Sequence, residues 1–411
     1  MSINPEPTDI SGFQRRYRER SQGDFPDVLT LKLEKKWDLK YGENPNQHGA
    51  IYVLEEINCA NAGRLAELTN LQSVRSDGKG KGGLSLTNIM DVTRALDNLK
   101  WFDVPAVAIM KHNLVAGFAK QVSKEEPLAE IFRRARDADL KSNFGGTAVF
   151  NRPLSLIAAQ ALYELKGQNP FFIDVLAAPG YETGVLAYLE LQSLHIRIGE
   201  FSAEGLRKLP KFQGDETYGL VSIKEMPGGF LGLQDVYLTS IQTPSDLILR
   251  PQVTDKSGNK HTLEFVPTER ELDDLVTAWW LNITGARSNG VVFVKNGVTV
   301  AMGSGQVERV GAVEQAIVKG MQKAMDREGV KYNPLHGLYS AHMLKSNPFR
   351  GAVCASDAFF PFPDSIDRLA SVGVTAVVQP YGSIQDAAVI AAANKYGIAM
   401  PATGERCFGH F

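Results

Sequence analysis

An α/β protein of more than one domain is what the sequence predicts, and three observations carry that reading. Short apolar runs alternate with segments of helical period along most of the chain, the signature of βαβ units with a largely parallel core. The length of 411 residues is long for one domain and ordinary for two or three. Hydrophobic residues make up 44% of the chain, enough to bury a large core.

Residues 1–30 read as an N-terminal arm. They are polar, with Pro5, Pro7 and Pro26, and their basic cluster Arg15–Arg20 has the character of a solvated helix face. The stretch Leu86–Phe102 places Ile89, Val92, Leu96 and Leu99 on one helical stripe. Val104–Met110 follows as a continuous apolar run, as expected of a strand buried on both faces. Lys111 and His112 then leave the sheet at its carboxyl edge, where open α/β sheets bind ligands. Glu126–Leu140 is a second amphipathic helix, Gly145–Phe150 a strand, Ser155–Leu165 a helix and Phe172–Gly180 a strand. Glycine and proline punctuate Tyr218–Thr254, which reads as hairpins or a connecting arm.

A second alternating block begins at Glu271. It contains a helix over Glu271–Ile283, the strand Gly290–Gly297 with an Asn-Gly turn, and Val298–Gly305. The long helix Gly311–Gly329, strands at Ala352–Phe360 and Ala376–Pro380, and the helix Ile384–Gly397 complete it. The shared rhythm suggests an internal duplication, with domains at 31–240 and 241–411.

Charge and motif exclude several functions. With 44 basic and 46 acidic residues the net charge is −2, so nothing draws the chain generally to nucleic acid or membrane. The cysteines Cys59, Cys354 and Cys407 are too few and too scattered for a disulfide framework and suit a reducing compartment, so a soluble cytoplasmic protein is expected. Ser76–Asn88 is rich in glycine and lysine but does not match a P-loop, and Gly303–Ala312 lacks the third glycine of a dinucleotide fingerprint. Neither zinc-deaminase ligands nor a nucleophile elbow occurs.

What remains is a series of dense polar motifs at the ends of apolar strands. In order they are "LKYGENPNQ" from Leu39, "MKHNLVAG" from Met110, "NFGG" from Asn143, "DVLAAPGY" from Asp174, "RSN" at Arg287–Asn289, "GSGQVER" from Gly303, "SDAFFPFPD" at Ser356–Asp364 and the terminal "RCFGHF". Loops on a rigid scaffold carry binding and catalysis, so their concurrence on one sheet protein points to a site. Together they resemble the transformylase part of the AICAR transformylase / IMP cyclohydrolase family, where AICAR is 5-aminoimidazole-4-carboxamide ribonucleotide. The family pattern reads R-Y-G-x-N-P-H-Q, K-H-x-N, F-G-G, D-x-x-x-A-P-x-[FY], S-N, G-x-G-Q-x-S-R, S-D-A-F-F-P-F-x-D and R-x-F-x-H. The likeness runs from Leu39 to His410, and "SDAFFPF" followed by Asp364 is its most specific part. The chain departs from the pattern at Lys40 (arginine), Asn46 (histidine), Glu308 (serine) and Pro363 (arginine), and reads "KHNLVAG" in place of K-H-x-N-P-C-G. Lysine keeps the positive charge at residue 40 but loses the bidentate fork of arginine.

The resemblance implies two cytidine-deaminase-like α/β/α domains with mixed sheets, and a homodimer with active sites at the subunit interface. It implies formyl transfer from N10-formyltetrahydrofolate to the 5-amino group of AICAR, giving formyl-AICAR in purine synthesis. Because few residues precede Lys40, no cyclohydrolase activity is expected. The amine of AICAR is a poor nucleophile and needs a base. His112 has the right chemistry, with Lys111 to stabilise negative charge, Asn289 to hold the formyl or carboxamide oxygen and Asp174 to accept from the amide. The family match assigns the nucleotide to Lys40, Tyr41, Gly145, Phe359, Arg406 and His410. It assigns the folate to Phe144, Arg309, Val310, Phe360, Pro361, Phe362 and Asp364, and a structural potassium ion to the neighbourhood of Asp357. Two other readings stay open at this point: a related formyltransferase with another donor such as formyl phosphate, and a non-catalytic nucleotide-binding homologue.

Overall fold

Among the described residues of the unit Asp24–Leu238, six strands share its main sheet. Their spatial order is Leu114–Lys120, Ala106–Lys111, Gly146–Phe150, Ile173–Ala178, Arg197–Glu200 and Thr69–Ser73. The three strands from Gly146, Ile173 and Arg197 run parallel, and the other pairings are antiparallel. The sheet is therefore mixed and not largely parallel. The reason lies at His112 and Asn113, where the chain reverses in two residues and returns as Leu114–Lys120, a buried strand that the sequence pattern did not separate from its neighbour. Helix Leu86–Leu99 starts at a Ser85 capping box with Asn88 and buries the expected stripe Ile89, Val92, Leu96 and Leu99. Helix Leu128–Ala138 buries Ile131, Phe132 and Ala135.

The structure, a computed structural model, describes residues 5–19, 25–54, 69–73, 83–166, 169–192, 195–217, 220–331 and 344–410. Cys59 and the first part of the glycine- and lysine-rich stretch, residues 76–82, lie outside the described residues.

The other unit joins Met1–Gly23 to Thr239–Phe411. Its strands follow the order Ala376–Val378, Val353–Ser356, Val291–Lys295 and Val298–Gly303, the first pair parallel and the rest antiparallel. Helices Glu269–Gly285, Arg309–Glu328, Asp364–Ser371 and Asp386–Tyr396 surround them. Thr268 and Glu271 cap the first of these, and Gly329 ends the second in a left-handed conformation.

Within residues 5–19 the N-terminal segment packs into the unit it belongs to. Thr8–Asp9 pairs in parallel with Pro251–Thr254, and Ile10 and Phe13 are buried in the same core as Phe293, Phe349 and Tyr381. Two buried apolar residues in a polar segment are too few to stand out as a period, yet they suffice to dock it.

Each unit contains a hairpin turned by two residues of positive φ and anchored to a buried helix aspartate. In one, His112 (φ 55°) and Asn113 (φ 64°) make the turn, and Asp91 Oδ1 accepts from the Asn113 N–H at 2.6 Å. In the other, Asn296 (φ 52°) and Gly297 (φ 71°) make it, and Asp274 accepts from their N–H groups at 2.8 and 2.7 Å. Burial raises the carboxyl pKa of both aspartates, and the turn N–H groups oppose that rise. Among the described residues no helix is long and apolar enough to cross a membrane.

Candidate active site

The sequence-predicted residues fall into two groups, one in each unit. In Asp24–Leu238 they gather where strand Ala106–Lys111 ends and strands Gly146–Phe150 and Ile173–Ala178 begin. Lys111 closes its strand and donates from Nζ to the Phe144 carbonyl at 2.7 Å. His112 stands exposed on the turn, over the buried Asp91 that accepts from the Asn113 N–H. A β-carbon is crowded at positive φ, and the comparable turn at 296–297 uses Asn and Gly, the ordinary choices. Histidine is a costlier choice, of order 1–2 kcal/mol. Strain of this kind concentrates at functional sites.

Asp174 is the second residue of its strand, at the end away from Ala178 and Pro179. The parallel register, Ile173 against Gly146, puts that first end beside Lys111. Its carboxylate accepts from Arg197 Nη1 at 2.9 Å and from Asn88 Nδ2 at 3.4 Å. Arg197 also donates to the Gly83 carbonyl at 3.2 Å. The Lys40 N–H donates to Leu84 at 3.1 Å and Leu86 N–H to Tyr41 at 3.3 Å, so the "KYG" loop borders the same helix N-terminus. Gly145 has φ 72° and donates to Phe172 at 2.7 Å, while the half-exposed Phe144 tilts against the Phe172 ring. Sequence reasoning missed Arg197, Asn88 and Asp91. An arginine inside the apolar run "HIRIG" and the capping pattern "SLTN" were the available signals.

The second group lines a cavity of about 630 Å³ in the other unit. Asn289, Arg309, Val310, Phe359, Pro361, Phe362, Asp364 and Arg406 all border it. Asn289 follows a cis peptide, donates from Nδ2 to the Gln306 carbonyl at 2.9 Å and accepts on Oδ1 from Arg309 Nη2 at 2.8 Å. Arg309 also donates from Nη1 to Asp357 and to the Gly290 carbonyl, the latter at 3.1 Å. Asp357 is 1% exposed and accepts further from Ser288 Oγ at 2.6 Å and Gly290 N–H at 3.0 Å. The terminal segment docks on this knot: Gly409 N–H donates to Ser288 Oγ at 3.0 Å, and Ser288 N–H to the Gly409 carbonyl at 2.9 Å. Arg406 lies between two rings, 5.3 Å from that of Tyr17 and 4.8 Å from that of Phe408. His410 is exposed, its ring 6.0 Å from Phe408.

Two expectations change here. Phe360 is fully buried in the hydrophobic core, its N–H donating to Gln379 Oε1 at 3.0 Å, so it is no wall for a ligand. In "AFFPF" the ring after Phe359 turns inward because the strand ends at Ser356 and the chain bends there. Arg309 borders the cavity, with its guanidinium paired to buried Asp357 and donating to Asn289. The donor set around Asp357 does not fit a potassium ion at its carboxylate, because the guanidinium already neutralises it and would repel a second cation. Among the described residues no group of three or more His, Cys, Asp or Glu is placed to hold a metal.

The chemistry of the two groups is complementary. One offers an exposed imidazole, an ammonium and a paired carboxylate; the other offers exposed aromatic surface, an amide and a stacked guanidinium. A family model described as "AICARFT/IMPCHase bienzyme" matches residues 9–319. The chain belongs to the AICARFT/IMPCHase bienzyme family. Among members of that family, the "Bifunctional purine biosynthesis protein PurH" of Persephonella marina is 33% identical over 386 residues, covering 94% of this chain and 62% of the relative. The protein of the same name from Anaeromyxobacter sp. (strain K) is 34% identical over 405 residues, 96% of this chain and 64% of its own length. That of Sorangium cellulosum is 34% identical over 410 residues, covering 100% of this chain and 64% of its own. The chain thus spans a little under two thirds of these bienzyme-family relatives.

Proposed function

We propose that the protein is a phosphoribosylaminoimidazolecarboxamide formyltransferase. It transfers the formyl group of N10-formyltetrahydrofolate to the 5-amino group of AICAR, in purine (IMP) biosynthesis in the cytoplasm. Family membership supports the pathway. The observation that carries the chemistry is His112, a histidine kept at φ 55° on a turn over a buried aspartate, with Lys111 beside it.

The amine nitrogen attacks the formyl carbon, and the carbon–N10 bond breaks as tetrahydrofolate leaves. The nitrogen loses a proton, which His112 takes up and which N10 gains in turn as its bond to the formyl carbon breaks; an imidazole suits that relay. Lys111 faces the negative charge that develops on the formyl oxygen. Asn289, held on both polar ends by Gln306 and Arg309, presents a fixed amide to the same oxygen or to the carboxamide. Lys40, Tyr41 and Arg406 bind the nucleotide phosphate, and Gly145 leaves room for it. Phe359 lies along the nucleotide, Pro361 and Phe362 provide flat apolar contact for the pterin, and Asp364 accepts from its amino group. Phe144 and Val310 complete that side. The working assembly is a homodimer with active sites at the subunit interface.

A small donor such as formyl phosphate needs no aromatic platform, so Phe362, 56% exposed beside the cavity, favours folate. The test is formation of tetrahydrofolate by the purified chain. Product should appear only with AICAR and N10-formyltetrahydrofolate together. Turnover with formyl phosphate and none with folate would replace the donor, and no turnover with either would remove the assignment.

A further inference from the structure

An exposed arginine has many rotamers, and its value as a ligand group depends on how far they are restricted before binding. Arg406 is restricted by two rings. Phe408 is a near neighbour in sequence, but Tyr17 comes from the opposite end of the chain, just past the helical turn Phe13–Arg16.

Tyr17 is itself held on several sides. Its hydroxyl donates to the Tyr381 carbonyl at 2.8 Å, and its ring meets Phe359 edge-on with centroids 5.8 Å apart. A β-carbon at Gly382 (φ 102°) would come within 2.4 Å of Tyr17 Cε2, so only glycine admits the ring there. On the other side Arg16 donates to the Gly404 carbonyl at 2.6 Å, and a β-carbon on Gly404 (φ 70°) would lie 2.8 Å from Arg16 Nη1. Gln14 adds a bond from Nε2 to the Ser383 carbonyl at 3.0 Å. Two glycines thus make room for one short segment, and that segment touches two cavity-lining residues, Phe359 and Arg406.

We infer that Tyr17 is a positioning residue: it holds Arg406 and Phe359 in the arrangement that receives the substrate phosphate and its neighbour. This rests on the role proposed for Arg406 above. A guanidinium stacked over a tyrosine face at an exposed site gains enough to change affinity roughly two- to five-fold.

The experiment has two arms. In the first, Arg406 Nε–Hε is observed by NMR in the full chain, its resonance identified by loss in Arg406→Met. Tyr17→Leu should move that resonance out of the ring-current shift, and Tyr17→Phe should retain the shift. An unmoved resonance in Tyr17→Leu overturns the inference, whatever the enzyme's activity. In the second, Tyr17→Leu should raise the KM for AICAR roughly two- to five-fold with kcat nearly unchanged. Tyr17→Phe should restore it, and Tyr17→Leu should add less in an Arg406→Met background than in the wild type. An equal rise in that background, or a loss confined to kcat and shared by Tyr17→Phe, overturns it. If the wild type turns over no AICAR, the formyltransferase reading falls while the NMR arm still decides the placement of Arg406.

Discussion

Replacing Arg309 with methionine would leave Asp357 charged in the interior without its cation. The side chains of the pair are 5% and 2% exposed, so water cannot make good the loss. Ser288 and Gly290 would still donate to Asp357, but neither carries charge. Removing one partner of a buried ion pair costs about 3–5 kcal/mol. For a unit of roughly two hundred residues each kcal/mol moves the midpoint by about 2–4 °C, so a fall of roughly 6–20 °C is expected. Differential scanning calorimetry reads this directly, with the transition of the unit Met1–Gly23 and Thr239–Phe411 followed by itself if the two units melt apart. Arg309→Met combined with Asp357→Leu, which removes both charges, should recover most of the loss. A fall below about 3 °C for Arg309→Met would refute the reasoning, because it would mean that the guanidinium does not carry the buried charge.

Further tests follow from single contacts. Lys40→Ala should raise the KM for AICAR and leave that for folate unchanged, and Lys40→Arg should keep or tighten nucleotide binding; an equal effect on both substrates removes Lys40 from the phosphate. Burial pushes the Asp386 carboxyl from 3.8 up to about 6, against the N–H groups of Gly382 and Ser383. The folded state therefore holds that proton to higher pH than the unfolded state, and stability is lost as pH rises from about 4 to about 6. Asp386→Asn should abolish this slope, gaining about 3 kcal/mol on the wild type between pH 4 and pH 8 in denaturant titrations. A constant difference across that range would contradict the burial argument.

Helical periods were readable because they repeat. Leu86–Leu99 and Arg309–Glu328 show their buried stripes and ends in the sequence, the second closing on Gly329. The hairpin at Asn296–Gly297 was equally plain, since Asn-Gly is the common residue pair of such turns. Its counterpart at His112–Asn113 was not, because histidine does not announce a reversal, and so Leu114–Lys120 went unseen as a strand. Strand direction depends on which strands meet, and no local pattern encodes that; hence the expected parallel core gave way to mixed sheets. At the site, the motifs named the residues that border the edge and the cavity. The residues behind them were hidden. Arg197 and Asp91 act through partners more than twenty residues away in sequence, and Tyr17 meets Arg406 from the other end of the chain. Phe360 shows the converse, a motif residue whose ring is core.

The central claim is that the strained turn carries the base, and one substitution tests it most directly. His112→Ala should lower kcat for formyl transfer by roughly 10²–10⁴-fold while leaving AICAR binding, measured by calorimetry, close to wild type. His410→Ala should be the milder change, because the backbone of Gly409 holds that segment against Ser288 whatever side chain stands at residue 410. Wild-type turnover in His112→Ala, with activity lost in His410→Ala, would contradict the account and move the base from the turn to the tail.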